Sequence, residues 1–378
     1  MYYLVFCPEF RGHHLEYIHH KYNYAGEMMN NVNFIFILNP ILKNKLDLFT
    51  WNAYKNIKID FFTTEEISFF NNDFKGLKKK YLLTKLLYKY YKDILPDKII
   101  LDVINNYMPF LSFFNFRKDS LRGIIYYIPF YDNIRNNIRK LYDWIILFLL
   151  AKSRVIEKIF ILNDSYTSNY YNKKFNTNHF KFLPDPINIP ESYNPEDKDE
   201  DIDLVENSRI KFLHPGCLGM RKGTDVILET IKNLNDEELA SRLFIFIGTY
   251  EDSYIKIKFD EILENDRYTK SIILINDFVS YEKLMLYFKI SDYVLLPYRG
   301  SSQSSGILGY SAFFEKPIIG TNDGLIGRLI KDFHLGYVME NIDPESLYEL
   351  IKDIRNNKTS NNYKDTHTID EFSKIYLS

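Results

Sequence analysis

The sequence predicts an α/β protein built from two doubly wound, mostly parallel sheet units. Three observations carry this reading. At 378 residues the chain exceeds one ordinary core. Short apolar runs alternate with helically spaced stretches through both halves, the pattern of strands joined by crossover helices. The pattern breaks once, where residues 191–206, ESYNPEDKDEDIDLVE, hold eight carboxylates and one lysine, the composition of an exposed linker or loop. The boundaries that follow are an N-terminal unit at 1–187, an acidic linker at 188–207, a C-terminal unit at 208–360, and a helix at 361–378 free to return to the first unit.

Composition narrows the class. Hydrophobic residues make up 46% and charged residues 26%, as in a water-soluble globular protein. The longest uninterrupted apolar run, Trp144 to Ala151, is far short of the ~20 residues a spanning helix needs. Cys7 and Cys217 give no disulfide framework, and MYYLVFCPEF reads as a first strand rather than a signal peptide, so a cytoplasmic location is expected. The 31 Tyr and 30 Phe accompany heavy use of Asn, Lys and Ile, which is a compositional bias and not a set of sugar platforms. Residues 1–190 hold 26 basic and 17 acidic side chains, the remainder 22 and 33. A basic half joined to an acidic half suggests that one of them meets an anionic surface or partner. With no nucleic-acid-binding motif beside the charge, nucleic acid is not the expected partner.

In the first half, apolar runs near 2–7, 32–38, 57–62, 98–104, 123–128 and 158–162 predict strands. The loop Pro8 to His14 follows the first of them and opens a helix that carries His19 and His20. Ligands of open α/β sheets bind beyond the carboxyl ends of strands, so Gly12, His13 and His14 are candidates for an acceptor or cleft site. Four histidines in eight residues also raise a metal reading, but they form no HExxH and have no cysteine partners nearby, so no metal is expected. Residues 75–92, KGLKKKYLLTKLLYKYYK, form a basic amphipathic helix, and residues 135–154 bracket Trp144 with further basic residues. Such helices suit an anionic membrane, each lysine near the surface contributing about 1 kcal/mol. A solvated face on a packed helix explains the same letters.

The second half restarts with a strand at Arg209–His214, followed by Pro215-Gly216-Cys217-Leu218-Gly219-Met220-Arg221-Lys222-Gly223 and a helix. Further strands are expected at Leu243–Ile247, Ile272–Ile275 and Tyr293–Leu296, with Ser280 as the N-cap of a helix reaching about Ile290. The last strand leads into Pro297–Gly320, PYRGSSQSSGILGYSAFFEKPIIG: strand, polar loop, helix, strand. A helix opening after Ser304-Ser305-Gly306 aims its free N–H groups and positive dipole end at the loop, where Ser301, Ser302, Ser304 and Ser305 add hydroxyls and Gly306 permits close approach. Both loops leave the same edge of the sheet, so Arg221 and Lys222 can reach an anion held at Ser304–Leu308. Two cations and a helix terminus suit a diphosphate. Ser/Gly loops and exposed Arg-Lys pairs also occur with no ligand.

These residues resemble the retaining glycosyltransferases of the GT-B fold, in particular family 4, also called group 1. The resemblance covers about residues 209–355. It rests on Gly216, Lys222 and Gly223 at Gly-x5-Lys-Gly spacing, on FVSYEKLMLYFKISDYVLLPY, on SSGILGYSAFFEKPIIG, and on the glycine-rich run from Gly324 to Gly336. It implies two Rossmann-like domains facing across a cleft, a nucleotide-sugar donor on the C-terminal one and an acceptor on the N-terminal one. The family's diphosphate-contacting lysine carries over to Lys222, with Arg221 beside it. The arginine that often follows the first glycine is here Cys217. The two glutamates that the family places before and within the Ser/Gly helix, seven residues between them, fall at Ser302 and Tyr310. Ser302, Ser304, Ser305, the backbone of Gly306, Ile307 and Leu308, Tyr310, Gly216 and Arg299 complete the implied donor site.

The expected function is therefore metal-independent, retaining transfer of a sugar from a nucleotide sugar to a glycan or lipid-linked saccharide in surface polysaccharide synthesis. The protein would be cytoplasmic, with a peripheral position on the membrane. The missing glutamates motivate the rival expectation, a catalytically silent GT-B protein that binds glycan or partners an active enzyme.

Overall fold

The computed structural model describes the whole chain except residues 11–13, 49, 69–75, 127–136, 191, 195, 197–207, 301, 353 and 355–360. Gly12, His13, Ser301 and most of the acidic stretch thus lie outside the described residues. The residues divide into two compact units: Pro186–His367 makes up one, and Thr368–Ser378 joins the residues before Pro186 in the other.

The first unit is a parallel sheet of β1 (Tyr2–Cys7), β2 (Asn33–Leu38), β3 (Ile57–Phe61), β4 (Lys98–Leu101), β5 (Leu121–Ile125), β6 (Ile156–Leu162) and β7 (Phe180–Leu183), in the order β3-β2-β1-β4-β5-β6-β7. The crossover helices are α1 (His14–Met28), α2 (Gly76–Ile94), α3 (Asn137–Lys152) and α4 (Ser165–Phe175). Strands covered on both faces read as continuous apolar runs. In β1, accordingly, Leu4 to Cys7 are all fully buried, in register with β2 (Leu4 opposite Ile35) and β4 (Val5 opposite Ile100). The run at 98–104 stops as strand at Leu101, because Asp102 turns the chain into a short 3₁₀ segment at Ile104–Tyr107. The β5 strand lies two residues before its expected start. The sequence reading has no strand at β7, whose four residues run into Pro184 and Pro186.

The second unit repeats the plan with β8 (Ile210–Pro215), β9 (Arg242–Ile247), β10 (Ile272–Ile275), β11 (Tyr293–Leu296), β12 (Ile318–Gly320) and β13 (Gly336–Val338), ordered β10-β9-β8-β11-β12-β13. Its helices include α5 (Thr224–Asn233), α6 (Asp236–Ala240), α7 (Ser253–Leu263), α8 (Asp266–Thr269), α9 (Tyr281–Ile290), α10 (Gly306–Phe313), α11 (Gly324–Asp332), α12 (Pro344–Lys352) and α13 (Tyr363–Thr366). Ser280 caps α9 by accepting the Lys283 N–H at 3.2 Å. Phe212, Phe244, Phe246, Ile227, Tyr293 and Met339 belong to one buried core.

The tail helix α14 (Ile369–Leu377) is part of the first unit's core through Phe372, Tyr376 and Leu377. Arg122, almost wholly buried on β5, fixes its end. The guanidinium donates to Leu377 O at 2.6 Å and Ser378 O at 3.0 Å, and grips Glu157 through Nε (2.6 Å) and Nη2 (3.1 Å). A planar fork with five donors makes these bonds together; a lysine cannot. Arg122→Ala should lower the stability of the first unit by about 2 kcal/mol in urea denaturation, since it leaves Leu377 O and Ser378 O without this donor and Glu157 with Lys98 alone, at 2.9 Å, and Arg122→Lys should recover only a minor part.

Candidate functional site

In the second unit the strand order reverses between β8 and β11, which pair directly, Tyr293 opposite Phe212 and Val294 opposite Leu213. The loops leaving their carboxyl ends therefore lie side by side, where open parallel sheets take ligands. One is Gly216–Gly223, the other runs from Pro297 to Ser305. Gly223 has φ +70°, and a Cβ there would stand 2.1 Å from Pro297 O, so only glycine lets the first loop close on the second.

Two polar clamps hold the loops together. His214, buried in β8, meets Leu295 O through Nδ1 at 2.9 Å and Thr224 Oγ1 through Nε2 at 3.0 Å. The Thr224 hydroxyl accepts the Gly219 N–H at 3.0 Å. Its own proton then goes to Nε2, and Nδ1–H donates to the carbonyl. Burial lowers the His214 pKa to about 4, and the Lys222 charge acts in the same direction. In the second clamp, Arg299 binds Asp225 through both Nη atoms at 2.7 and 2.8 Å, donates to Met220 O at 2.6 Å, and gives its backbone N–H to Arg221 O at 2.9 Å. Arg299, expected at the donor, is thus neutralised by Asp225 and acts as a loop tie.

Arg221 and Lys222 differ from it. Arg221 is exposed and Lys222 half-buried, with its Nζ 3.8 Å from the centre of the Tyr298 ring, and among the described residues no carboxylate pairs with either. Across from them is the start of α10. Its N-cap Ser305 makes no side-chain cap bond, and only the Leu308 N–H turns back, to Ser305 O at 3.0 Å. The N–H groups of Gly306 and Ile307 have no intrahelical acceptor, as in any first turn. Ser302, Ser304, Ser305, Gly306 and Ile307 are half-exposed here, while Leu308 is buried. Tyr310 does not join them: it lies one turn along on the inner face, buried with its ring 5.7 Å from Phe288. The expected donor contact by this side chain is replaced by core packing. Cations without a carboxylate partner among the described residues and an open helix terminus are groups whose chemistry suits an anion.

The first unit reverses its strand order between β1 and β4, and a different chemistry sits there. Cys7 ends β1, Asp102 follows β4, and α1 supplies His14 and Lys21. Lys21, fully buried, pairs with Asp102 Oδ1 at 2.5 Å and lies 4.9 Å over the Tyr376 ring. Cys7 Sγ–H donates to the same carboxylate, and His14 Nδ1 stands 3.5 Å from Oδ2. Burial alone would raise the Asp102 carboxyl, but Lys21, His14 and Cys7 hold it well below its usual range. Burial and the Asp102 charge push the Cys7 thiol up. Cys7, His14 and Asp102 bring ligand atoms within 4.8 Å of one another. A cation there would compete with Lys21, which already neutralises Asp102, and would have to displace the Cys7 proton. His14, 16% exposed, is the member of this set that a ligand can reach. His19 and His20 are packing residues: His19 Nε2 meets Thr50 O at 2.8 Å, and burial lowers His20 to about 4.

Sequence reasoning passed over His214, Thr224, Asp225 and Tyr298 in one unit and Cys7, Lys21 and Asp102 in the other. Asp225, in the first helical turn after Lys222-Gly223, and Asp102, directly after an apolar run, carried a positional signal; Lys21 carried none.

Residues 196–369 match the family model for glycosyl transferases group 1. No curated protein sequence matches the chain. Among solved structures, a glycosyltransferase from Rickettsia africae ESF-5 is 14% identical with a TM-score of 0.63, covering 99% of this chain and 92% of that one. Anabaena Alr3699/HepE, in complex with UDP and glucose, is 12% identical with a TM-score of 0.63, covering 99% and 94%. WaaG, a glycosyltransferase involved in lipopolysaccharide biosynthesis, is 12% identical with a TM-score of 0.60, covering 99% and 94%. At such identities the shared property is the fold, an α/β GT-B fold of two parallel-sheet units.

The His214 clamp has a pH signature. Its folded pKa of about 4 lies below the usual 6.5, so between these values the unfolded chain takes up a proton that the folded chain refuses, and stability falls as pH falls. His20 and His367, also lowered to about 4 by burial, add to this loss. Replacing His214 by Gln should flatten the slope of unfolding free energy near pH 5 by about 1.4 kcal/mol per pH unit, read from denaturation at successive pH values.

Proposed function

Taking as premise that residues 196–369 form a group 1 glycosyl transferase domain, we propose that the protein transfers a glycosyl group from a nucleotide sugar, with retention and without a metal ion. The observation that carries this is the pair of cations, Arg221 and Lys222, left unpaired by described carboxylates beside the open N-terminus of α10, while Arg299 is tied up by Asp225. A donor diphosphate seated there accumulates negative charge as its bond to the sugar breaks. Donors fixed in advance stabilise that charge, and the leaving phosphate oxygen takes the proton of the acceptor hydroxyl. Lys222, backed by the face of Tyr298, and Arg221 are the catalytic cations. Ser302, Ser304, Ser305 and the N–H groups of Gly306 and Ile307 hold phosphate and sugar oxygens, and Gly216 leaves room for the pyrophosphate. His14 faces the acceptor.

The neighbours support the two ends of the reaction. The Anabaena protein's complexes hold UDP, glucose and UDP-glucose, in line with a nucleotide-sugar donor here. The part of WaaG in lipopolysaccharide synthesis is in line with a glycan or lipid-linked acceptor in surface polysaccharide synthesis, on the cytoplasmic side. A second reading rests on Ser302 and buried Tyr310 at the positions of the family's glutamates: a silent GT-B protein that binds glycan or assists an active transferase. Turnover of donor separates the two.

With EDTA present, UDP-, GDP-, ADP- and CMP-sugars should be screened by thermal shift. One of them at a hundred times its Kd adds about 2.7 kcal/mol and should raise the Tm by roughly 5 °C. With that donor, Lys222→Ala should lower kcat/KM about 100-fold, near 2.7 kcal/mol of transition-state stabilisation. Loss of less than about tenfold would remove Lys222 from the reaction, and donor binding without turnover would favour the silent reading.

A further inference from the structure

The helix α3 turns an apolar stripe outward. Its inner face, Ile146, Leu147, Leu150 and Ala151, is buried against the first unit as expected of a crossover helix. The opposite face should then be polar. Instead Ile138, Leu141, Ile145 and Phe148, at spacings of three and four that keep them on one side, are 81%, 63%, 47% and 49% exposed. Beside the stripe, α3 meets α2. Tyr142 contacts Lys80 of α2, whose Nζ lies 3.3 Å from its hydroxyl and 5.6 Å from its ring centre. The next residue, Tyr81, packs on Phe110 at 5.4 Å, and Phe110 on Phe113, which is 72% exposed. Single exposed apolar side chains need no explanation, but four along one face of one helix do.

The charge around this surface identifies what covers it. Within α3, Arg139, Lys140 and Lys152 stand against one acid, Asp143, and α2 carries six lysines at positions 78, 79, 80, 85, 89 and 92 against Asp93 and against Glu66, which pairs with Lys89 at 2.6 Å. An apolar stripe rimmed by basic side chains complements a bilayer interface that offers hydrocarbon below anionic headgroups. A two-fold dimer through the same face would set these basic rims against their own copies. No helix among the described residues is long and apolar enough to cross a membrane, so the contact is one of lying on the surface. We propose that the first unit docks on an anionic membrane through α3 and the start of α2, with Leu141, Ile145 and Phe148 entering the headgroup layer. This centres the contact on the second of the two basic segments of the sequence, and it does not depend on the glycosyl-transfer reading.

Flotation with phosphatidylcholine vesicles, with and without about 30% phosphatidylglycerol, tests it without any donor sugar. The full chain should bind the anionic vesicles at least tenfold more tightly, and the double substitution Leu141→Glu/Ile145→Glu, at exposed positions, should weaken that binding by more than tenfold with an unchanged melting temperature. If the variant misfolds, hydrogen exchange of the unaltered protein decides: anionic vesicles should slow exchange in Asn137–Lys152 and not in Thr224–Asn233. Equal binding to both vesicles, binding indifferent to the substitutions, protection elsewhere than α3, or a vesicle-independent dimer abolished by the same substitutions would overturn the proposal.

Discussion

Where a parallel sheet reverses its strand order, two loops are left side by side with their helices leading away to opposite faces, and this constraint organises the second unit. The loops after β8 and β11 must be held together before anything can bind between them. A glycine at 223 allows the contact with Pro297, His214 ties the end of one strand to Thr224 and to the neighbouring strand, and Arg299 locks onto Asp225. The His214 tie uses an imidazole that would otherwise be costly to bury. The consequence is a difference among three cations: Arg299 is consumed in tying the loops, while Arg221 and Lys222 meet no carboxylate among the described residues.

Much of this frame was legible from periodicity. Apolar runs covered on both faces announce parallel strands, so β10 and β11 fall where the sequence placed them, as does the Ser280 cap. The strands that periodicity missed, β7 and β13, are no shorter than β11 and β12 but are only partly buried, one interrupted by Lys181 and the other opened by Gly336, so neither reads as a continuous apolar run. The site was legible by position and not by pairing. Arg299 and Asp225 lie 74 residues apart, and Lys21 and Asp102 lie 81 apart. No local pattern says that one arginine will meet a carboxylate while Arg221 meets none among the described residues. Tyr310 shows the same limit in another form: its chain position marks it as a site residue, and only the helix phase reveals that it faces the core.

The two units share a topology and differ in what they place at the strand reversal. In the first, Lys21 and Asp102 neutralise each other deep in the fold and His14 stays at the rim. Such a pair leaves neither charge over for a ligand, and the pairing offsets the cost of desolvating it only in part. In the second, cations stand unneutralised by described carboxylates, a state that a bound anion relieves. The expectation of an acceptor on one unit and a charged donor on the other comes from the resemblance to the GT-B transferases, and this contrast is in keeping with it.

The central claim is that a nucleoside diphosphate binds at the β8/β11 reversal through backbone N–H groups and the Arg221-Lys222 pair. Amide hydrogen exchange of the full chain with UDP, GDP or ADP, in EDTA, measures this directly. The account predicts slowed exchange at Gly216–Gly223 and Ser302–Leu308 with at least one of them. Protection confined to residues before Pro186, or none with any of the three, would contradict it.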